Sequence, residues 1–329
     1  MIDRIAYLLH ADEPWVRYRT LVDLLGVDQG DPVVLMARQA MLEHPLVKGL
    51  MAELKGWPGI VLNSHKSAGQ CYHKLAFLAE IGVLATDGPL AEITTKIRQQ
   101  ETKDGIPTLS MQISESHGGT GTQTQGWALC DAPVTLSALA GMGLDGDLRL
   151  RQATESLLRR ARDNGWPCAV SPTLGTWRGP GKIGDPCPYA NLAMLQLLAA
   201  CKGFDERPET QAGVECLLGL WEKSRERHPY IFYMGIDFRK LKVPFIWYDI
   251  LHVADVLSRF DQAIDDPRFC GMLGVITAKA DADGLYAPES EWQAWREWPE
   301  MRKGRPSTWL TFLVMRLEKR AGIGFGRAV

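Results

Sequence analysis

The chain lacks any apolar run long enough to span a bilayer, any strong charge of either sign, and any closely paired cysteine motif. Each absence narrows the field. A membrane-spanning helix needs roughly 20 consecutive apolar residues, so integral membrane association is not expected. The formal net charge of -2 gives no general attraction to nucleic acid or to an anionic membrane. Seven cysteines, an odd number scattered through helix-like stretches, read as reduced thiols rather than a disulfide frame. The first apolar stretch, residues 5–9, is soon interrupted by His10, Asp12 and Glu13. It is too short for a secretory signal, and a cytoplasmic location is expected. His117-Gly118-Gly119-Thr120-Gly121 has flexible glycines but not the strand-to-helix setting of a dinucleotide loop, so no nucleotide cofactor is expected.

What the chain does have is apolar material and tryptophan. Hydrophobic residues make up 46% of the 329, enough for a large core, and tryptophan occurs 11 times. Helix-like segments recur about every 60 residues, beginning near Ser64-His65-Lys66, Gly126-Trp127, Asp185-Pro186-Cys187, Pro244-Phe245 and Pro306-Ser307. That period is two helices long, one apolar and one amphipathic. Residues 1–55 read as helical. Ser64 is a candidate cap for a helix through about residue 82, and Asp131 with Pro133 opens a helix over 132–141. Further helices are expected over 148–162, 188–201, 209–225 and 307–320, with Trp247, Tyr248, Asp249 and His252 together on another. Residues 102–125 read as one long irregular loop, and residues 171–186 as a second, with Arg178-Gly179-Pro180-Gly181-Lys182. No linker divides the chain, so residues 1–329 are expected to form one domain.

The pattern of hairpins with Gly-aromatic turns resembles the terpenoid cyclases and protein prenyltransferase β subunits. Gln100-Glu101-Thr102-Lys103-Asp104-Gly105, Asn164-Gly165-Trp166 and Asp283-Gly284-Leu285-Tyr286 carry this resemblance over most of the chain. It implies an all-α fold, an α/α toroid of about six hairpins around a central cavity, with polar residues gathered at the inner-helix starts. Asp185-Pro186-Cys187, with His252 standing 65 residues after Cys187, is similar to the zinc ligands of the prenyltransferase β subunits. Cys130 occupies the matching start of the preceding inner helix, as in the Cys-Cys-His sites of lanthionine cyclases. The resemblance thus implies a zinc site drawn from Asp185, Cys187, His252 and Cys130, with Asp249 at the His position in a second register set by Leu257-Ser258. The Asp-x-Asp-Asp acid of class II cyclases is absent; Asp281-Ala282-Asp283-Gly284 is the nearest string.

Other residues point to acid–base chemistry and to binding. Tyr248, Asp249 and His252 would share a helical face, and Asp249 could orient His252 as a general acid or base, with Asp131 as a further carboxylate. His65, Lys66, His73 and Lys74 form a second polar face. Trp127, Tyr189, Trp247, Tyr248 and Trp309 are expected to line an apolar cavity. Arg239, Lys240 and Lys242 suit an anionic headgroup. The expected function is an enzyme acting on a small apolar, isoprenoid-like or aromatic substrate, by zinc-assisted transfer or lyase chemistry or by acid–base catalysis. The rival is a non-catalytic binding or scaffold protein.

Overall fold

In the computed structural model, residues 2–179, 181–229 and 232–323 are described; Pro180 of the second glycine-rich loop lies outside them. The fold is mostly helical. It divides into two compact units.

The larger unit comprises Leu50–Met234 and Ile246–Tyr248. Three buried helices lie side by side in it. Cys71–Ile81 packs on Ala132–Leu139, which packs on Pro188–Ala200. Every residue of Ala132–Leu139 is buried, as expected for a helix that is apolar all round. A more polar helix follows each of them: Leu90–Gln99, Leu148–Leu158 and Pro208–Glu222. Leu90–Gln99 buries Leu90, Ile93 and Ile97, a single stripe at helical spacing, while its charges face outward. Ser137 donates to the Gln196 carbonyl at 3.3 Å, tying the second buried helix to the third.

The all-α expectation needs correction, because the larger unit contains a small sheet. Leu109–Gln112 (β1) and Gln123–Gly126 (β2) pair antiparallel, with Leu109 opposite Gly126 and Gln112 opposite Gln123. The stretch expected to be one loop therefore holds a hairpin. Its polar composition masked the strands: β2 is Gln-Thr-Gln-Gly, with little apolar alternation. Gly126 is required in its place, since a Cβ there would meet the Ser171 hydroxyl at 2.5 Å. Leu62 bridges to Met111 beside β1, its N–H donating to the Ser110 carbonyl at 2.8 Å.

A second correction concerns Ser64. The helix starts at Cys71, and residues 64–70 are turns. Tyr72 and His73, in the first turn of that helix, donate to the His65 carbonyl at 3.0 and 3.1 Å. These bonds hold His65 in place as part of a built turn.

The smaller unit comprises 1–49, Gly235–Phe245 and 249–329. Its helices include Pro14–Arg19, Pro32–Glu43, Ile250–Leu257, Pro267–Thr277 and Thr308–Arg320. Ile250–Leu257 packs on Pro267–Thr277 and on Thr308–Arg320. Asp255 sits buried among three guanidiniums, Arg259 at 2.6 Å, Arg316 at 2.8 Å and Arg320 at 3.0 Å. Burial alone would raise its carboxyl, but the three arginines override that and hold it well below the usual carboxylate range.

The helix expected to carry Trp247, Tyr248, Asp249 and His252 together begins only at Ile250. Asp249 is its N-cap, accepting from the N–H groups of Leu251 and His252 at 3.1 and 3.0 Å. Tyr248 precedes the helix and belongs to the larger unit. The three residues therefore share no helical face.

Candidate functional site

A cavity of about 680 Å³ opens in the larger unit, a size suited to a small molecule. Several stretches of the chain build it. Residues 62–66 and the segment after β1 form one wall. The residues just before two buried helices, Cys130 and Cys187, lie at its base. The loop containing Trp177, Arg178 and Lys182 forms part of the rim with Arg162.

His65 lies in the wall. Its Nε2 is 2.7 Å from Asp131 Oδ2, with the imidazole 7% exposed and the carboxylate fully buried. The ring stacks on Trp177, centroids 5.7 Å apart and planes 19° from parallel. Asp131 also accepts from the Ala128 N–H at 3.1 Å. It occupies the cap position of Ala132–Leu139, but its side chain makes no cap bond to that helix and turns to His65 instead. Burial raises the Asp131 carboxyl, opposed by the His65 bond and the Ala128 N–H. Nδ1 of His65 makes no hydrogen bond among the described residues, so one ring nitrogen is fixed and the other is left for a ligand.

Three thiols line the same cavity: Cys130, Cys168 and Cys187. Cys187 neighbours both Cys168 and Cys130, and each thiol perturbs the protonation of the next. The Gly179 N–H donates to Cys168 Sγ at 3.0 Å. Interaction with the neighbouring thiol, with burial, pushes the Cys168 and Cys187 thiols far up. Cys187 is the largest single influence on Cys130 and pulls it down, but burial together with the nearby Cys168 and Asp131 leaves that thiol raised too. All three are neutral at pH 7.

Asn191 aligns this base. Buried in the first turn of Pro188–Ala200, its amide donates to the carbonyls of Trp166 at 2.9 Å and Cys187 at 2.8 Å, and its Oδ1 accepts from the Trp166 N–H at 3.0 Å. The loop carrying Cys168 is thus pinned to the helix start carrying Cys187.

The zinc expectation is overturned. Among the described residues no group of three or more His, Cys, Asp or Glu side chains could hold a metal ion. The physical reasons are visible at each residue. Asp185 Oδ2 accepts from the Lys182 N–H at 3.0 Å, and its Oδ1 faces Arg227 at 3.7 Å. Burial and the neighbouring thiols hold Cys187 and Cys130 protonated, the form that does not ligate zinc. His252 belongs to the smaller unit, its ring stacked on Phe245 with centroids 4.7 Å apart.

The other expected residues divide sharply. His65, Lys66, Trp247, Cys130, Asp185 and Cys187 line the cavity, and Asp131 supports it through His65. Trp127 is buried elsewhere, under the Arg160 guanidinium at 5.2 Å. Tyr189 is a packing residue, stacked on Trp247 and donating to the Ile246 carbonyl at 2.9 Å. Tyr248 stands edge-on to Phe232. Trp309 stacks on Phe312 in the smaller unit. Arg239 and Lys240 belong to that unit as well, and Asp237 pairs with Lys240 at 3.4 Å and with Lys242 at 2.8 Å. Lys74 pairs with Glu53. Asp249 and His252 are not among the lining residues.

Sequence reasoning missed Cys168, Arg162, Trp177 and Phe232. One signal was available for the first: Trp166-Pro167-Cys168 and Asp185-Pro186-Cys187 share a Pro-Cys pair, and the two cysteines meet. Compared with known proteins, the chain matches no protein-family model and no curated sequence.

Proposed function

We propose that the chain is an enzyme that performs acid–base catalysis on a small isoprenoid-like or aromatic molecule in this cavity. We further propose kinship with the α/α toroids of the terpenoid cyclases and prenyltransferase β subunits. The kinship is supported by buried helices, each followed by an amphipathic one, with cavity residues just before two of the buried starts. The observation that carries the enzymatic reading is the His65–Asp131 pair in the cavity wall.

The chemistry follows from the pair. With Asp131 ionised, Nε2–H of His65 donates to it, which fixes the tautomer and leaves Nδ1 as an acceptor. Nδ1 takes a proton from the substrate, and the buried carboxylate stabilises the imidazolium that forms. The same Nδ1–H returns the proton to another substrate atom, giving an isomerisation, or to a leaving group, giving an elimination. Trp177 fixes the ring plane by stacking. The apolar walls, with Trp247 and Phe232, exclude water from the substrate's body.

The test is incubation with a panel of isoprenoid and aromatic alcohols, acids and phosphates in deuterated buffer, read by mass spectrometry. A substrate should incorporate solvent deuterium or rearrange. His65→Gln and Asp131→Asn should each lower turnover by about 100-fold or more while ligand binding persists. Binding without turnover across the panel, or unchanged turnover in His65→Gln, would make the protein a binding module instead.

A further inference from the structure

The rim of the cavity is cationic, although the chain as a whole carries a net charge of -2. Lys66, Arg162, Arg178 and Lys182 stand there against one lining carboxylate, Asp185. That carboxylate is already engaged by the Lys182 N–H and faces Arg227. No carboxylate among the described residues pairs with any of the four rim cations.

Two of the four are held in place by backbone. Arg162 Nη1 donates to the Ile183 carbonyl at 2.7 Å, and Arg178 Nη1 to the Gly181 carbonyl at 2.6 Å. Both guanidiniums therefore close on the short segment that carries Lys182. Each spends one nitrogen on that segment, and its remaining donors make no hydrogen bond among the described residues. Two guanidiniums with free N–H groups, held on the segment that carries the exposed Lys182 at the mouth of an aromatic-walled cavity, are suited to an anion tethered to an apolar body.

We infer that the cavity's ligand carries a carboxylate or phosphate group, seated at Arg162, Arg178 and Lys182, with its apolar body between Trp177 and Trp247. The inference rests on the cavity being the functional site proposed above, but it concerns binding and not catalysis. It replaces Arg239 and Lys240, expected from sequence to hold the anion, with cations from two loops of the larger unit. Arg162 and Arg178 supply planar forks that match a carboxylate or phosphate edge, while Lys182 adds a mobile point charge. Electrostatic attraction at an exposed rim also steers the ligand inward, an effect that added salt screens.

Titration calorimetry tests this with three probes of one shape: 1-naphthoate, 1-naphthyl phosphate and the neutral 1-naphthalenemethanol. At least one anionic probe should bind about tenfold or more tightly than the alcohol, a difference of about 1.4 kcal/mol. The preferred probe distinguishes a carboxylate ligand from a phosphate one. Arg162→Gln with Arg178→Gln should remove that advantage and leave the alcohol unaffected, as should raising salt to about 0.5 M. These side chains are exposed, so the variant is expected to fold, and an unchanged circular dichroism spectrum checks it. Lys240→Gln should change nothing. Equal affinity for the alcohol and both anions overturns the inference, as does an anion preference that survives the double substitution. If anions bind as expected but no compound is turned over, the catalytic reading fails and the anion site stands. If neutral compounds are turned over and anions show no preference, the reverse holds.

Discussion

Asn191 makes three hydrogen bonds in a fully buried position, and each of them sets the geometry of a neighbour. Replacing it with Ala would leave the Trp166 N–H without a partner in the core, while the Trp166 and Cys187 carbonyls keep only their backbone donors, the N–H groups of Cys187 at 2.8 Å and Asn191 at 3.0 Å. The orphaned N–H alone costs about 1–3 kcal/mol, so Asn191→Ala should lower the urea midpoint. It should also loosen the Cys168–Cys187 contact. Gly165 belongs to the same junction. Its φ is +97°, and an added Cβ would run into the Asn191 amide oxygen, so Gly165→Ala is expected to be destabilising on both counts. The thiols allow a chemical test at the same scale. Alkylation proceeds through the thiolate, and Cys130, Cys168 and Cys187 are all held protonated. Near pH 7 iodoacetamide should modify exposed Cys270 first and leave these three intact until the protein is denatured. Peptide mapping that found a cavity cysteine labelled as fast as Cys270 would contradict the protonated state of these thiols.

At the scale of elements, periodicity revealed the long buried helices and failed at their edges. Ala132–Leu139, Pro188–Ala200 and Thr308–Arg320 lie close to where apolar spacing and Pro or Ser starts put them, because burial on all sides leaves a dense apolar signature. Residues 64–70 and 246–249 were read as helix because their aromatic and polar residues match helical spacing; tertiary bonds to the His65 carbonyl and the Asp249 cap decide otherwise. The hairpin Leu109–Gln112 with Gln123–Gly126 was invisible for the opposite reason, since its partners are backbone groups and its side chains are mostly polar. One helix contact yields a prediction of its own. Asp255 on Ile250–Leu257 accepts from three arginines, two of them from Thr308–Arg320. Asp255→Ala would leave the buried Arg316 without its carboxylate at 2.8 Å. Breaking such a buried network typically costs about 3–5 kcal/mol, and thermal denaturation of the variant measures it. A loss below about 1 kcal/mol would mean the arginines find water instead.

At the scale of the whole molecule, the site was legible where its residues precede buried helices, as Cys130, Asp131 and Cys187 do. It was illegible where loops bring them in, as with Trp177 and Arg162. Spacing along the chain records helix starts, but it does not record which loop folds over them. Three of the buried carboxyls have a second, global consequence. Glu300 is buried with neither carboxylate oxygen bonded, and burial pushes its pKa up to about 8. Burial likewise pushes Asp249 up to about 7, despite the N–H groups of His252 and Leu251. In the unfolded chain both titrate near their ordinary values, about 4.5 and 3.8. Between those values and the raised ones, the folded protein keeps protons that the unfolded chain has released. Folding stability therefore falls as pH rises through this window and levels off above about pH 8. Asp255 has the opposite sign: its carboxyl is held low, so its contribution is present above the ordinary carboxylate range and is lost only in acid. The two effects together put maximal stability in the acidic range where ordinary carboxylates titrate. The melting temperature should thus be several degrees higher near pH 5 than near pH 8.5. Glu300→Gln, which is neutral at every pH and close in shape, should raise the alkaline value and flatten the slope. A melting temperature that rises from pH 5 to 8, or a slope unchanged in Glu300→Gln, would mean that the Glu300 carboxylate is solvated in the folded protein.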